Sequence, residues 1–289
     1  MKLLEKNKSI EDETIKFVFE LNGQIIEFNY IDNKTGKDII CVPCQTMCNM
    51  SCKFCHLTDN IGKIPLKNLT NHEIVEGIQY VIDDLNIGIG LRPLLISYMG
   101  CGEPLANIGP VIDSMIMLDN EYDNIRFGLA TMLPKANTFE MFELAKRVKD
   151  SKLNLKVHLS LHFSNDKIRK EWMPSALDIK SSISALEFYG NYTGNPIEVH
   201  YTLMDGVNDT DDDMYFLELN ININTTIKFM RYSKREALIG VEKVHKDRLE
   251  DMMSYLESTG MIVEYYEPPG QSIGASCGEF SINKYELIK

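Results

Sequence analysis

The chain has 289 residues, 44% hydrophobic and 25% charged, which excludes a disordered protein and suits one large domain with an edge extension. Its net charge of -12 gives no general electrostatic footprint for a large nucleic acid, whose affinity comes mainly from Lys and Arg neutralising phosphates. No apolar run approaches the about eighteen residues of a membrane span, and the start MKLLEKNKSIEDETIK lacks a signal-peptide core, so the cytoplasm is expected.

In chain order, residues 1–36 read as a short helix and a hairpin (KFVFELNGQIIEFNYI) laid on a main body at 37–289. A first strand near 38–43 runs into the cysteine-rich stretch CNMSCKFC. Thr70 and Glu73 then form an expected capping box ahead of Ile74, Ile78, Val81 and Leu85 at helical spacing. Further strands are expected near 94–99, 124–131, 154–162, 195–204 and 225–232. In the fourth, Leu155, Val157, Leu159 and Leu161 alternate with Lys156, His158, Ser160 and His162. The fifth repeats this, with Ile197, Val199, Tyr201 and Leu203 against Glu198, His200 and Thr202. Residues 205–218 carry six acids and no base. Lys228, Arg231, Lys234 and Arg235 form the densest basic stretch, able to hold a phosphate or to be a solvated loop. A last helix carries Leu249, Met252, Met253 and Leu256 and stops at Gly260.

Six strand–helix units predict an α/β chain wound into a partial (β/α)6 barrel, apolar strand faces against helices and polar faces lining a ligand-holding interior. A one-sided antiparallel sheet is the alternative, and the intervening helices disfavour it. Chemistry is expected where strands end and loops begin.

Cys48, Cys52 and Cys55 offer three thiolates from one loop after the first strand and leave a fourth metal position open. That suits a [4Fe-4S] cluster with one free iron. Structural zinc wants four closed ligands, and only Cys41 and Cys44 lie near enough to complete such a set. Five cysteines crowded between residues 41 and 55 indicate a reducing compartment. After the second strand, MGCGEP at 99–104 places Glu103 where a carboxylate can pair with an ammonium. Cys277, alone near the C-terminus, reads by itself as a small buried hydrophobe.

The C-x3-C-x2-C loop with Phe54 before its last cysteine, followed by MGCGEP, resembles the radical S-adenosylmethionine superfamily. SLHFSNDKIRK at 160–170, LMDGVND at 203–209, Cys41 seven positions before Cys48, and Cys277 in GASCGEF narrow this to the RlmN/Cfr-like radical methyltransferases. Those enzymes methylate a carbon of adenosine in RNA, and the resemblance spans roughly residues 20–282. It implies a radical-type partial barrel, a [4Fe-4S] cluster on Cys48, Cys52 and Cys55, and S-adenosylmethionine held by Phe54, Gly102, Glu103, Ser160, Leu161, His162 and Ser233. Ser233 stands where the family has asparagine, and Ala130 where it has serine. The resemblance further implies that Cys277 carries the methyl group, that Cys41 releases the adduct through a disulfide, and that Glu27 accepts a proton. A reductant such as flavodoxin or ferredoxin is the expected partner. Cys44 and Cys101 are expected to pack, and His56, His72, His158, His200 and His245 receive no role.

Two departures bear on the acceptor. Too little chain precedes Cys41 for the family's accessory domain, and Glu267, Pro268 and Pro269 stand where its RNA enzymes carry a basic run. A smaller adenine-containing or other heterocyclic acceptor is therefore expected in place of a large ribosomal RNA. A radical enzyme of another reaction class, or a non-enzymatic iron–sulfur or zinc protein, are the competing readings.

Overall fold

In a computed structural model of the chain, which describes residues 1–33, 36–87 and 92–275, the first thirty-three residues are all strand and turn. The expected N-terminal helix is absent. Instead β1 (Lys2–Lys8) alternates half-buried and exposed side chains, the period of a strand, and pairs antiparallel with β2 (Ile15–Leu21). Leu3 and Leu4 also fit a helical stripe; what decides is that the buried aromatics of β2, Phe17 and Phe19, give β1 a partner edge to pair with. A turn at Asn22 and Gly23, both with positive φ, returns the chain into β3 (Gln24–Asn33). β3 in turn pairs antiparallel with β4 (Lys37–Cys41), setting Asn29 opposite Cys41.

From β4 onward strands alternate with helices and pair in parallel. α1 (Asn71–Leu85) precedes β5 (Leu94–Tyr98), α2 (Ile108–Glu121) precedes β6 (Ile125–Thr131), and α3 (Glu140–Ser151) precedes β7 (Leu155–Ser160). The short α4 (Asp166–Trp172) and α5 (Ile179–Thr193) lead to β8 (Ile197–Leu203), and α6 (Asp211–Asn220) to β9 (Thr226–Arg231). Finally α7 (Lys246–Ser258) leads to β10 (Val263–Tyr266), a parallel strand beyond the six expected. All ten strands form one sheet in sequence order, so the barrel stays open between its ends.

Local chemistry fixes these elements. The capping box at Thr70 forms as expected, with the Glu73 amide donating to the Thr70 hydroxyl and the Thr70 amide to the Glu73 carboxylate. Ile74, Ile78 and Val81 of α1, Leu144 and Val148 of α3, and Met252 and Leu256 of α7 are wholly buried against the sheet. Facing them are Ile96, Leu129, Val157, Leu159, Ile227 and Phe229. Each such side chain contributes about 1.5–3 kcal/mol on burial. The opposite faces of β7 and β8 turn His158, Ser160, Glu198 and His200 inward, as the alternation predicts. Among the described residues no helix is long and apolar enough to cross a membrane.

Candidate functional site

The loops following β4 to β9 meet over the open end of the barrel and enclose a cavity of about 210 Å³. Cys48, Cys52, Phe54 and Cys55 form one wall, Gly102 and Glu103 another, and Ser160, His162 and Ser233 a third; Ala130 also faces it. These residues, drawn from five separate stretches of sequence, are thus brought together. Leu161 differs: its side chain is fully buried in the core, so only its backbone reaches the strand end.

The cysteine loop is held from both sides. The Cys55 amide donates to the Cys52 carbonyl at 3.1 Å, and the Thr58 hydroxyl to the same carbonyl at 2.6 Å. The Lys53 amide donates to the Trp172 carbonyl at 2.8 Å, and Arg235 grips both the Asp59 carboxylate and the Lys53 carbonyl. Burial pushes the Cys48 thiol up to about 12 and raises those of Cys52 and Cys55. Metal binding here would therefore release protons. Among the described residues, the three donor atoms found within 4.8 Å of one another belong to His158, Glu198 and His200, so the loop sulfurs do not all approach that closely. Sulfurs around one zinc stand about 3.8 Å apart on bonds of about 2.3 Å. Three thiols on one loop offer a cluster three ligands and leave a tetrahedral zinc one ligand short. Cys44 and Cys101 are buried, the former donating to the Cys101 carbonyl at 3.6 Å, and pack as expected.

Gly102 has φ +110°, and a Cβ there would lie 2.7 Å from Cys44 Sγ, so only glycine permits this path past the loop. Glu103 is 5% exposed. Its carboxylate accepts from the Thr131 hydroxyl at 2.6 Å and the Leu105 and Met132 amides at 3.1 and 3.2 Å. Burial nevertheless dominates and lifts its pKa from 4.5 to about 7. A carboxylate so placed gains most from a cation.

His162 sits at φ +57° just past β7. Its Nδ1 accepts the Thr202 amide at 2.9 Å, which leaves Nε2 with the proton, and burial holds the ring neutral. Phe54 packs edge-on against this ring at 5.0 Å. Two residues without an expected role organise these loops. Arg169, 1% exposed, donates to the carbonyls of Met132, Ser160, Leu161 and Leu177, tying the loops after β6 and β7. Asn208 donates to the carbonyls of His162 and Thr202 and accepts the Met204 amide, so SLHFSND and LMDGVND meet through it. Both lie inside runs the sequence marks out; nothing in the spacing reveals that they are buried.

The N-terminal strands approach the same end. Glu27 on β3 is buried with Lys16 Nζ at 3.9 Å, and Cys41 closes β4 beside Ser97. Cys277 lies outside the described residues, but the segment leading to it is fastened to β1–β3. Lys16 Nζ donates to the Gly274 carbonyl at 2.6 Å, Asn29 to the Ala275 carbonyl at 3.3 Å, and the Gly270 amide to Asp12 at 2.7 Å. The Ser9 and Ser272 hydroxyls add a contact of 3.1 Å.

The basic stretch is not an open patch. Lys228 pairs with Glu198 and Glu264, Lys234 with Glu242, and Arg235 with Asp59. Three of its four cations pair with acids of this chain.

No family model matches the chain. It is 33% identical over 99% of its length to "Probable dual-specificity RNA methyltransferase RlmN" of Clostridium beijerinckii, of which it covers 80%. It is 30% identical over 98% of its length to the like-named protein of Thermosipho melanesiensis, covering 81%. A radical SAM methyltransferase from Sphaerobacter thermophilus shares its fold with a TM-score of 0.84 at 23% identity, over 96% of this chain and 80% of that one.

Proposed function

The chain belongs to the RlmN/Cfr-like family of radical S-adenosylmethionine methyltransferases, and from that premise we propose that it methylates an sp2 carbon of an adenine-containing acceptor through a methyl group stored on Cys277. The observation that carries this reading is the fastening of residues 270–275 to the N-terminal strands, through Asp12, Lys16 and Asn29, on the same strands that hold Glu27 and pair with the one ending at Cys41.

Cys48, Cys52 and Cys55 hold the [4Fe-4S] cluster in this proposal, and their place together on one wall of the cavity supports it. When bound, the cluster and S-adenosylmethionine supply the electron and the radical that an unreactive sp2 carbon demands. The protein's own groups do the rest. Glu103 ionises against the ammonium of S-adenosylmethionine, His162 offers its Nε2 proton, Ser160 and Ser233 add polar atoms along the cavity, and Leu161 anchors the turn between Ser160 and His162. Gly102 lets the chain pass close against Cys44 and Gln45 so that Glu103 reaches the cavity wall, and Phe54 packs the loop over the ligand. Cys277 acts as the nucleophile that accepts the methyl group, Glu27 takes the proton released at the acceptor carbon, and Cys41 attacks Cys277 sulfur to free the product as a disulfide forms. Residues 1–36 serve the body at 37–289 as the clamp for this C-terminal strap.

The curated relatives are named RNA methyltransferases, which supports an RNA acceptor. The net charge of -12, the committed basic stretch and Glu267, Pro268 and Pro269 support a short RNA or nucleotide over a large ribosomal RNA. A flavodoxin- or ferredoxin-type reductant in the cytoplasm completes the system, and none of the six described cysteines is in a disulfide.

Anaerobic assays with a labelled methyl donor, against ribosomal RNA fragments, short RNAs and nucleotides, test this reading. Label should enter an adenine carbon, and the Cys277→Ala variant should transfer none. A Cys277→Ala variant that still modifies the acceptor would establish another radical reaction class.

A further inference from the structure

Below the cavity, inside the barrel, His158 on β7 meets Glu198 and His200 on β8. His158 Nδ1 lies 3.0 Å from Glu198 Oε1 and 3.0 Å from His200 Nε2, and His200 Nε2 lies 2.9 Å from the same Oε1. The three residues are buried, at 7%, 1% and 6% exposure. Three electronegative atoms in an equilateral triangle cannot all be joined by hydrogen bonds. A proton on either nitrogen lies in its ring plane and points along one edge, and a good bond needs an angle above about 150°. A single cation facing all three atoms satisfies every one. Three donors at right angles on bonds of about 2.1 Å stand about 3.0 Å apart, the face of an octahedron. The observed edges match that length.

We propose that His158 Nδ1, His200 Nε2 and Glu198 Oε1 form a site for a first-row divalent transition-metal ion, separate from the cysteine loop. Two imidazoles and one carboxylate on an octahedral face select iron(II) first, with zinc binding the same donors, over magnesium or calcium, which take oxygen ligands. Neighbouring cations fit this arrangement. Lys156 Nζ holds the other carboxylate oxygen at 3.1 Å, leaving Oε1 for the metal. Lys228 Nζ, 2.9 Å from Oε1, is also 3.2 Å from Glu264 Oε2, to which it transfers when the metal binds. Both lysines lower the affinity below that of an isolated site. The ion pins β7 to β8 where their register sets His158 opposite Glu198. Its remaining coordination positions are open to water or to a group from the cavity that His200 lines.

The proposal does not rest on the cysteine loop, and the test removes that loop from the measurement. The full-length Cys48→Ala/Cys52→Ala/Cys55→Ala protein, stripped with a chelator, is titrated with zinc chloride by calorimetry. One equivalent should bind, with affinity reduced at least about tenfold in His158→Gln or His200→Gln added to that background. Zinc-edge X-ray absorption on the parent should show only nitrogen and oxygen ligands with imidazole scattering, which decides the matter even if the histidine variants misfold. Absence of saturable binding, sulfur in the coordination shell, or unchanged affinity in both histidine variants would overturn the site.

Discussion

Glu103 is the residue whose environment speaks most directly about a ligand. Its pKa is raised, so the folded state holds a proton that the unfolded chain has already lost between pH 4.5 and about 7. The free protein therefore loses stability from this group as pH rises across that window, by about 3 kcal/mol in full. An ammonium bound against Glu103 reverses the sign by favouring the carboxylate. Affinity for S-adenosylmethionine should rise as pH climbs through about 7, and Glu103→Gln should bind more weakly with that dependence gone; calorimetry at several pH values reads both. Arg169 is the second decisive residue. Arg169→Met strands buried carbonyls that cost about 1–3 kcal/mol each, so urea unfolding should show a loss of about 3 kcal/mol or more. An unchanged midpoint would contradict its part in tying the loops. The roles of Arg169 and Asn208 are not legible in sequence, because a buried cation or amide satisfied by backbone carbonyls leaves no periodic trace. Cys48, Cys52, Cys55 and Gly102 are legible because their spacing is itself the chemistry.

Among the elements, β5 to β9 fall within two residues of their expected limits, since each is long and alternates against helical neighbours. Two elements escaped. β1 carries apolar residues compatible with either period and becomes a strand only because β2 offers it an edge. β10 has four partly exposed residues, too few to establish a period. The His158, Glu198 and His200 triangle is half legible: alternation places each on an inward face, whereas their meeting depends on the register of β7 against β8. At this scale the working link is the clamp between the hairpin and the strap. Lys16→Met keeps the apolar stem and removes the anchor on Gly274. Methyl transfer should slow at least about tenfold, as misplacement remote from the chemistry does, while S-adenosylmethionine affinity stays unchanged. Unaltered turnover would mean that the strap needs no anchor there.

Across the whole molecule, one sheet carries both jobs: its parallel part builds the cavity, and its antiparallel edge holds the segment before Cys277. The fold class is legible from strand–helix alternation, and the family from motifs that, among the described residues, follow strand ends. The acceptor was not, because recognition of a partner depends on surface charge and shape distributed over many loops. The central claim is that the methyl group passes through the protein, and mass spectrometry of the C-terminal peptide tests it most directly. Protein expressed anaerobically with its loop cysteines intact should carry one methyl group on Cys277, and the Cys48→Ala/Cys52→Ala/Cys55→Ala protein none. An unmodified Cys277 in protein that still methylates its acceptor would contradict the account.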